Sequence, residues 1–346
     1  MARWDPLELD YQLPPERIAQ EPLAERDAAR MLVLERSRGC CQHARVRDLP
    51  HWLEPGDLLV VNATRVEPAR LRGHKLTGGV AEALLLEPVP EAPGRWRALV
   101  RTRGRLRPGL TLRFARGDAA LEATLIEVDA EGVAVLAFPP DGDPHLLGEM
   151  PLPPYIRRPA PDARDAERYQ TVFAREPGSV AAPTAGLHLT QRLFDALARR
   201  GVECAEVVLH VGPGTFRPLA CRDFAEGVLH PERFHLPEAT ADAVARTRER
   251  GGRVLAVGTT TTRVLESCAT RDGRVRAGCG ETRLFLRPGA RFRVVDRLLT
   301  NFHLPRSSLL YLVAAFAGRE TVLAAYEQAV AAGYRFYSYG DAMLIR

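Results

Sequence analysis

Apolar and polar positions follow two different rhythms along this chain. From about Gly56 to Pro139 the apolar residues fall in short runs, at 57–62, 80–86, 95–101, 110–114, 121–128 and 132–138. Turn residues separate the runs: Gly78-Gly79, Pro93-Gly94, Pro108-Gly109, Gly117-Asp118 and Glu131-Gly132. Short runs at regular spacing, with no helical period between them, predict strands that close into a small antiparallel β-barrel. The proline-rich stretch 139–154 then predicts an exit linker.

Beyond the linker the rhythm alternates. A helix is predicted over 190–200, with Thr190 as N-cap and Gly201 just past its end, followed by a buried strand over 202–211. A helix over 238–250 closes on Gly251-Gly252, a strand covers 253–257, and another helix over 259–268 starts after Gly258. Further strands are predicted at 282–286 and 292–295, then helices at 307–316 and 320–332. Strands alternating with helices indicate an α/β layer. The first fifty residues hold one plausible strand, Leu32-Val33-Leu34, and no core of their own, so they are expected to pack on the α/β part. The expected architecture is an α/β domain of residues 1–60 plus 150–346, interrupted by a β-barrel insertion over 61–149.

Composition changes this picture only in places. A length of 346 residues favours two domains, and 46% hydrophobic with 26% charged residues excludes a disordered or fibrous chain. A net charge of +5 invites a nucleic-acid partner, but Lys75 is the only lysine among 48 basic residues. Such a bias suggests GC-rich coding, which raises arginine everywhere and weakens the inference. The run 95–107 is more specific, with six arginines and no acid, Trp96 among them; alternation along a strand puts several guanidiniums on one face, as phosphate contacts require. The six cysteines show neither C-x-x-C pairs nor zinc spacing, so they read as reduced thiols and no metal is expected. The N-terminus lacks a signal-peptide layout and no apolar run reaches the ~18 residues of a membrane span, so a soluble cytoplasmic protein is expected.

Five segments can carry chemistry. In Ala181-Ala182-Pro183-Thr184-Ala185-Gly186-Leu187-His188, proline and glycine turn the chain toward a helix N-terminus, which suits an anion; a capped helix with a surface histidine explains the same residues. In Leu209-His210-Val211-Gly212-Pro213-Gly214-Thr215, glycines at a strand's carboxyl end permit close approach of a ligand, as would a plain turn; G-x-G-x-x-G is absent. Gly258 leads into Thr259, Thr260, Thr261 and Thr262, poor interior helix formers that suit a first turn touching a ligand. Arg263 and Glu266 follow three apart, where a local ion pair is the bland alternative. His303 lies in Asn301-Phe302-His303-Leu304-Pro305 and Asp341 in Tyr337-Ser338-Tyr339-Gly340-Asp341, each at a turn beside an apolar element.

Taken in order, these segments resemble one family. Tyr11-Gln12-Leu13-Pro14, Ile18-Ala19-Gln20-Glu21-Pro22, Arg26-Asp27, Met150-Pro151-Leu152-Pro153-Pro154-Tyr155-Ile156-Arg157-Arg158 and Arg168-Tyr169-Gln170-Thr171-Val172-Phe173 join the five above. The chain ends in Ser338-Tyr339-Gly340-Asp341-Ala342-Met343-Leu344-Ile345. Together they resemble the S-adenosylmethionine:tRNA ribosyltransferase-isomerases of queuosine biosynthesis over nearly the whole chain. The resemblance implies transfer of the ribosyl part of S-adenosylmethionine onto the aminomethyl group of 7-aminomethyl-7-deazaguanine in tRNA. The product is epoxyqueuosine-tRNA, with adenine and methionine released. It implies a tRNA with a GUN anticodon as partner and S-adenosylmethionine as co-substrate, with no tightly bound cofactor and a monomeric enzyme. Such chemistry needs a base, a proton donor for adenine, and exclusion of water. His188 is the first candidate base, because a helix N-terminus would hold its imidazole neutral. His210, His303, Asp341 and Glu266 are the other acid–base candidates. Arg65 and Arg263 suit the methionine carboxylate or a phosphate, with Thr184, Gly186, Gly212, Gly214, Thr215, Gly258, Thr259 and Thr260 as further co-substrate contacts. Three positions depart from the family: Ala63 where Asn-Asp-Thr-Arg-Val is usual, Ala29 for serine and Leu189 for phenylalanine. Ala63 keeps open a catalytically impaired tRNA-binding protein, and a methyltransferase using the same co-substrate is the other alternative.

Overall fold

A computed structural model describes residues 9–157, 162–212 and 221–346. Its larger part is a nine-stranded mixed sheet whose centre comes from short, wholly apolar runs. The strands β1 (Arg30–Glu35), β2 (Cys40–Arg45) and β3 (Leu58–Asn62) come first along the chain. β4 (Thr64–Val66) pairs with a later strand, β11 (Glu176–Ser179), in a separate two-stranded ribbon. β12 (Glu203–Leu209), β13 (Val228–Leu236), β14 (Val254–Val257), β15 (Gly278–Leu284), β16 (Arg297–Asn301) and β17 (Ala342–Ile345) complete the sheet. Its order is β15-β13-β12-β3-β14-β16-β17-β1-β2.

Strands buried on both faces read as continuous apolar runs, and β3 obeys this with every residue buried. Its alternate residues serve two cores. Leu58 and Val60 join Leu32, Val254 and Leu298 on one face, while Leu59 and Val61 join Met31, Leu255 and Leu299 on the other. The first core is covered by α4 (Glu238–Glu249), α5 (Gly258–Ser267), α6 (Ser308–Ala317) and α7 (Arg319–Ala331), the second by α2 (Gln191–Arg199). Two short helices, α1 (Asp165–Arg168) and α3 (Cys221–Glu226), lie in connections. Thr190 caps α2 as expected, its hydroxyl accepting the Leu193 N–H at 3.3 Å. The N-terminal segment also packs as expected. β1 lies parallel to β17, with Met31 opposite Ala342, so both ends of the chain share one sheet.

The smaller part is a closed six-stranded antiparallel barrel of β5 (Arg70–Lys75), β6 (Val80–Pro88), β7 (Arg95–Thr102), β8 (Thr111–Arg116), β9 (Ala119–Val128) and β10 (Val133–Ala137), in the order β10-β7-β6-β5-β8-β9. Inward positions alternate along β6 as Ala81, Ala83 and Leu85, and they meet Leu71, Phe114, Leu125 and Leu136. Small residues fit so narrow a barrel. At Gly73 a Cβ would stand 2.1 Å from the Arg113 carbonyl, so only glycine lets β5 cross β8 there.

Several expectations fail in detail: β2, β4, β11 and β17 were not predicted, and the run 57–62, read together with the barrel strands, is β3 of the sheet. Residues 292–295 form no strand, because the backbone N–H groups of Arg293, Val294 and Val295 donate to the Glu266 carboxylate instead of to a ladder; the strand starts later, at Arg297. β13 was not expected, since Pro231 and four charged or imidazole side chains interrupt its apolar pattern; its register shifts between Val228 and Glu232. β5 was also missed, its outward face being Arg70, Arg72 and His74.

Candidate active site

In open α/β sheets the carboxyl ends of parallel strands border the ligand crevice. Here β12, β3, β14 and β16 run parallel and end at Leu209, Asn62, Val257 and Asn301. Two of these buried strands close on an asparagine, whose amide can satisfy backbone groups left unpaired where the ladder stops. The Asn62 Oδ1 accepts the N–H groups of Leu209 at 3.0 Å and Thr64 at 3.2 Å, and its Nδ2 donates to the Leu209 carbonyl at 3.0 Å and the Thr260 hydroxyl at 3.2 Å. It therefore staples three strand ends together.

Asn301 does the same for the Thr184–His188 turn. The Thr184 hydroxyl donates to its Oδ1 at 3.0 Å, and its Nδ2 donates to His188 Nε2 at 3.1 Å. His188 is buried, not on the surface, and its pKa falls to about 4. Loss of solvent is the main cause, with the nearby Arg335 charge second, whereas the sequence pointed to a helix N-terminus as the origin of the shift. His303 is buried as well, its Nε2 2.8 Å from the Thr300 hydroxyl, and burial lowers its pKa to about 3. Both imidazoles are neutral at pH 7.

The threonines of α5 divide by role. Thr261 and Thr262 donate back to the carbonyls of Val257 and Gly258, at 2.8 and 3.0 Å, whereas Thr259 and Thr260 border a cavity. Gly258 borders it too, at φ 88°, a conformation that favours glycine. The cavity, about 70 Å³, has Thr184, Asn301 and His303 on one side and Tyr155 and Tyr337 on another. This volume is below the ~300–1,000 Å³ of common small-molecule sites, so a nucleoside-sized ligand requires the wall to open. The tyrosine wall carries local strain. Tyr337 sits at φ 74°, its ring 3.9 Å from that of Tyr155, whose hydroxyl bonds Ser338.

Arg263 also borders the cavity, but its guanidinium forms a buried ion pair with Glu232 of β13 and donates to the Leu284 carbonyl at 3.1 Å. Glu232 in turn accepts the Gly212 N–H at 3.1 Å. The local Arg263–Glu266 pair is replaced by this longer-range one.

Other expected residues lie apart. Glu266 accepts three backbone N–H groups at 2.9–3.0 Å, far along α5 from the threonines. Asp341 accepts the N–H groups of Arg30 at 3.0 Å and Arg335 at 2.8 Å, and burial raises its pKa. Gly186 faces Phe173, where a Cβ would come within 2.7 Å of the ring, so it answers to packing. His210 pairs with the Thr64 hydroxyl at 2.9 Å, and burial followed by the Arg233 charge lowers its pKa. Gly214 and Thr215 lie outside the described residues. Arg65 borders a second, larger cleft of about 1010 Å³ between barrel and sheet. Ala63 is buried, and its backbone bonds Val207, Arg175 and Glu176. Among the described residues no group of three or more histidine, cysteine or acidic side chains is placed to hold a metal. No single helix there is long and apolar enough to cross a membrane.

Comparison with known proteins places the chain in a family. The family described as "Queuosine biosynthesis protein" matches residues 7–345. The chain belongs to that family. Proteins named S-adenosylmethionine:tRNA ribosyltransferase-isomerase are similar to it throughout. That of Anaeromyxobacter sp. (strain K) is 52% identical, covering 98% of each chain. That of Acidithiobacillus ferrooxidans is 55% identical, over 97% of this chain and 96% of its own. The crystal structure of an S-adenosylmethionine tRNA ribosyltransferase from Thermotoga maritima is 40% identical, with a TM-score of 0.57, over 98% of this chain and all of that one. Asn62 and Thr300, together with Asn301, Tyr155 and Tyr337, which stood inside the motifs without being taken as site residues, border or brace the cavity of this queuosine family member. An asparagine closing a buried apolar run was the available signal.

Proposed function

We propose that this chain is an S-adenosylmethionine:tRNA ribosyltransferase-isomerase. It moves the ribosyl group of S-adenosylmethionine onto the aminomethyl substituent of 7-aminomethyl-7-deazaguanine in tRNA, forms epoxyqueuosine and releases adenine and methionine. The observation that carries this is the match to proteins of that name over 98% of both chains at 52% identity. The base in the tRNA is taken to be the wobble position of GUN anticodons, and the enzyme to be a cytoplasmic monomer.

The small cavity is the proposed seat of the reacting sugar. The sulfonium of the co-substrate acidifies its neighbouring C5′ hydrogens, and a neutral imidazole can take one of them. His303 borders the cavity itself, so its ring is the proposed base. His188 stands behind Asn301 and positions that amide and Thr184. Thr259 and Thr260 offer hydroxyls to the ribose. Glu266 and Asp341, each saturated by backbone donors, are proposed to brace the fold. Residues 61–149 are proposed to act as one inserted unit on a body of 1–60 plus 150–346. Incubation with S-adenosylmethionine and precursor-bearing tRNA tests the activity. Adenine with methionine is the expected output, while S-adenosylhomocysteine, or tRNA binding without turnover, refutes it.

A further inference from the structure

The large cleft and the small cavity share two thin walls. Pro154 and Ile156 border the cleft while Tyr155, between them, borders the cavity; likewise Gln170 faces the cleft and Tyr169 the cavity. The cleft is thus one residue away from the candidate active site along two separate segments.

The cleft is also lined by cations from both parts of the molecule. Arg101 comes from β7 of the barrel and Arg65 from β4 beside the sheet, joined by Arg116 and Arg157. Arg70 and Arg72 are already neutralised by Glu82 and Glu149, at 2.9 and 3.0 Å. Arg65 and Arg101 have no acidic partner among the described residues, although both border a space that holds other arginines. The lining holds seven arginines against four acids, Glu67, Glu149, Asp162 and Asp165, and this positive excess favours an anion in the cleft.

We propose that this cleft holds the sugar–phosphate backbone of tRNA, with Arg65 and Arg101 on its phosphates, and that the target base crosses the Tyr155–Tyr169 partition into the small cavity. This rests on the ribosyl transfer proposed above. A volume of about 1010 Å³ exceeds what the co-substrate needs, which leaves room for a polymer strand. Enzymes that modify a base draw it out of its stack into a pocket, and aromatic walls receive it by stacking. Tyr155 and Tyr337 supply such a wall. Arginine abundance alone does not explain the arrangement, since Arg103 and Arg105 are equally basic, lie exposed in the loop after β7, and do not border the cleft.

The test compares the full-length Arg65→Gln/Arg101→Gln variant with Arg103→Gln/Arg105→Gln as control. Binding of an unmodified tRNA transcript is measured across salt concentrations. Each lost phosphate contact lowers the salt slope by about 0.7–0.9, so the cleft pair should flatten it by about twice that and the loop pair should not. The KM for tRNA should rise roughly tenfold or more in the cleft variant, as expected for lost charge-assisted hydrogen bonds, with the KM for S-adenosylmethionine held. A flattened slope in the loop variant alone, or a raised KM for the co-substrate with an unaltered tRNA slope, overturns the proposal. The salt slope needs no turnover, so it distinguishes failure of this assignment from failure of the functional reading, which is judged by the products of the wild-type protein.

Discussion

Lowering the pH from about 6.5 towards 4 probes the burial of His188 and His303 directly. In the unfolded chain each imidazole has a pKa of ~6.5, whereas in the folded protein burial lowers these to about 4 and about 3. Between those limits the unfolded state binds protons that the folded state refuses, so stability is complete above the unfolded value and is lost as the pH falls. Each histidine contributes a slope of about 1.4 kcal/mol per pH unit in that window, and the pair about 2.7. One unit of acidification therefore removes a sizeable part of a typical total of ~5–15 kcal/mol. Asp341 acts in the opposite sense: its raised pKa adds stability at low pH that is lost as the pH rises through the folded value. The His188→Gln/His303→Gln variant keeps side chains able to bond Asn301 and Thr300 but has nothing to protonate. Urea unfolding at several pH values should give this variant a shallower dependence than wild type by about 2.7 kcal/mol per unit. Equal slopes for the two proteins would refute the assignment of both rings as buried neutral bases.

Other outcomes follow from single contacts. His303→Gln should lower turnover by on the order of 10²–10⁴ with little change in S-adenosylmethionine binding, and His188→Gln should lower it less; steady-state kinetics with separate binding measurements decide the order. Glu266→Gln replaces an acceptor with a donor facing a backbone N–H and should destabilise by about 2–4 kcal/mol in chemical unfolding, leaving co-substrate affinity in place. Glu232→Gln leaves the Arg263 charge buried and uncompensated, so a loss of about 3–5 kcal/mol is expected, and a melting temperature equal to wild type would contradict the pair's burial.

The barrel and the alternating layer were legible because their apolar positions follow the periods of strand and helix. β6 keeps its alternation and β3 its unbroken run, so each was placed within a few residues. β13 was hidden by Pro231 and by Glu232, whose reason for being there is a partner on α5 that no local pattern reveals. The site was legible in its segments and less so in its members. Thr184, the Gly258–Thr260 turn, Arg263 and His303 do border one cavity, because each lies at the end of a strand or the start of a helix that the sheet brings together. Glu266 and Asp341 have the chemistry of catalytic acids, but their oxygens are claimed by backbone donors distant in sequence, 27–29 and up to 311 residues away. Spacing along a chain carries no record of such bonds.

The position of β17 sets a schedule for biosynthesis. This strand, residues 342–345, lies between β16 and β1, and the Arg346 N–H donates to the Leu34 carbonyl at 3.0 Å. The ribosome therefore delivers this inner strand after every other strand described. Every strand of the barrel has been made once Ala137 emerges, and it can close while the sheet still lacks its seam. At ~5–20 residues per second the stretch from there to β17 takes on the order of 10–40 s, during which apolar β1, paired with the more polar β2, waits without its inner neighbour. A nascent chain stalled a few residues short of Ala342 would carry a finished barrel on an open sheet edge, a form suited to capture by chaperones or to pairing with another unfinished copy.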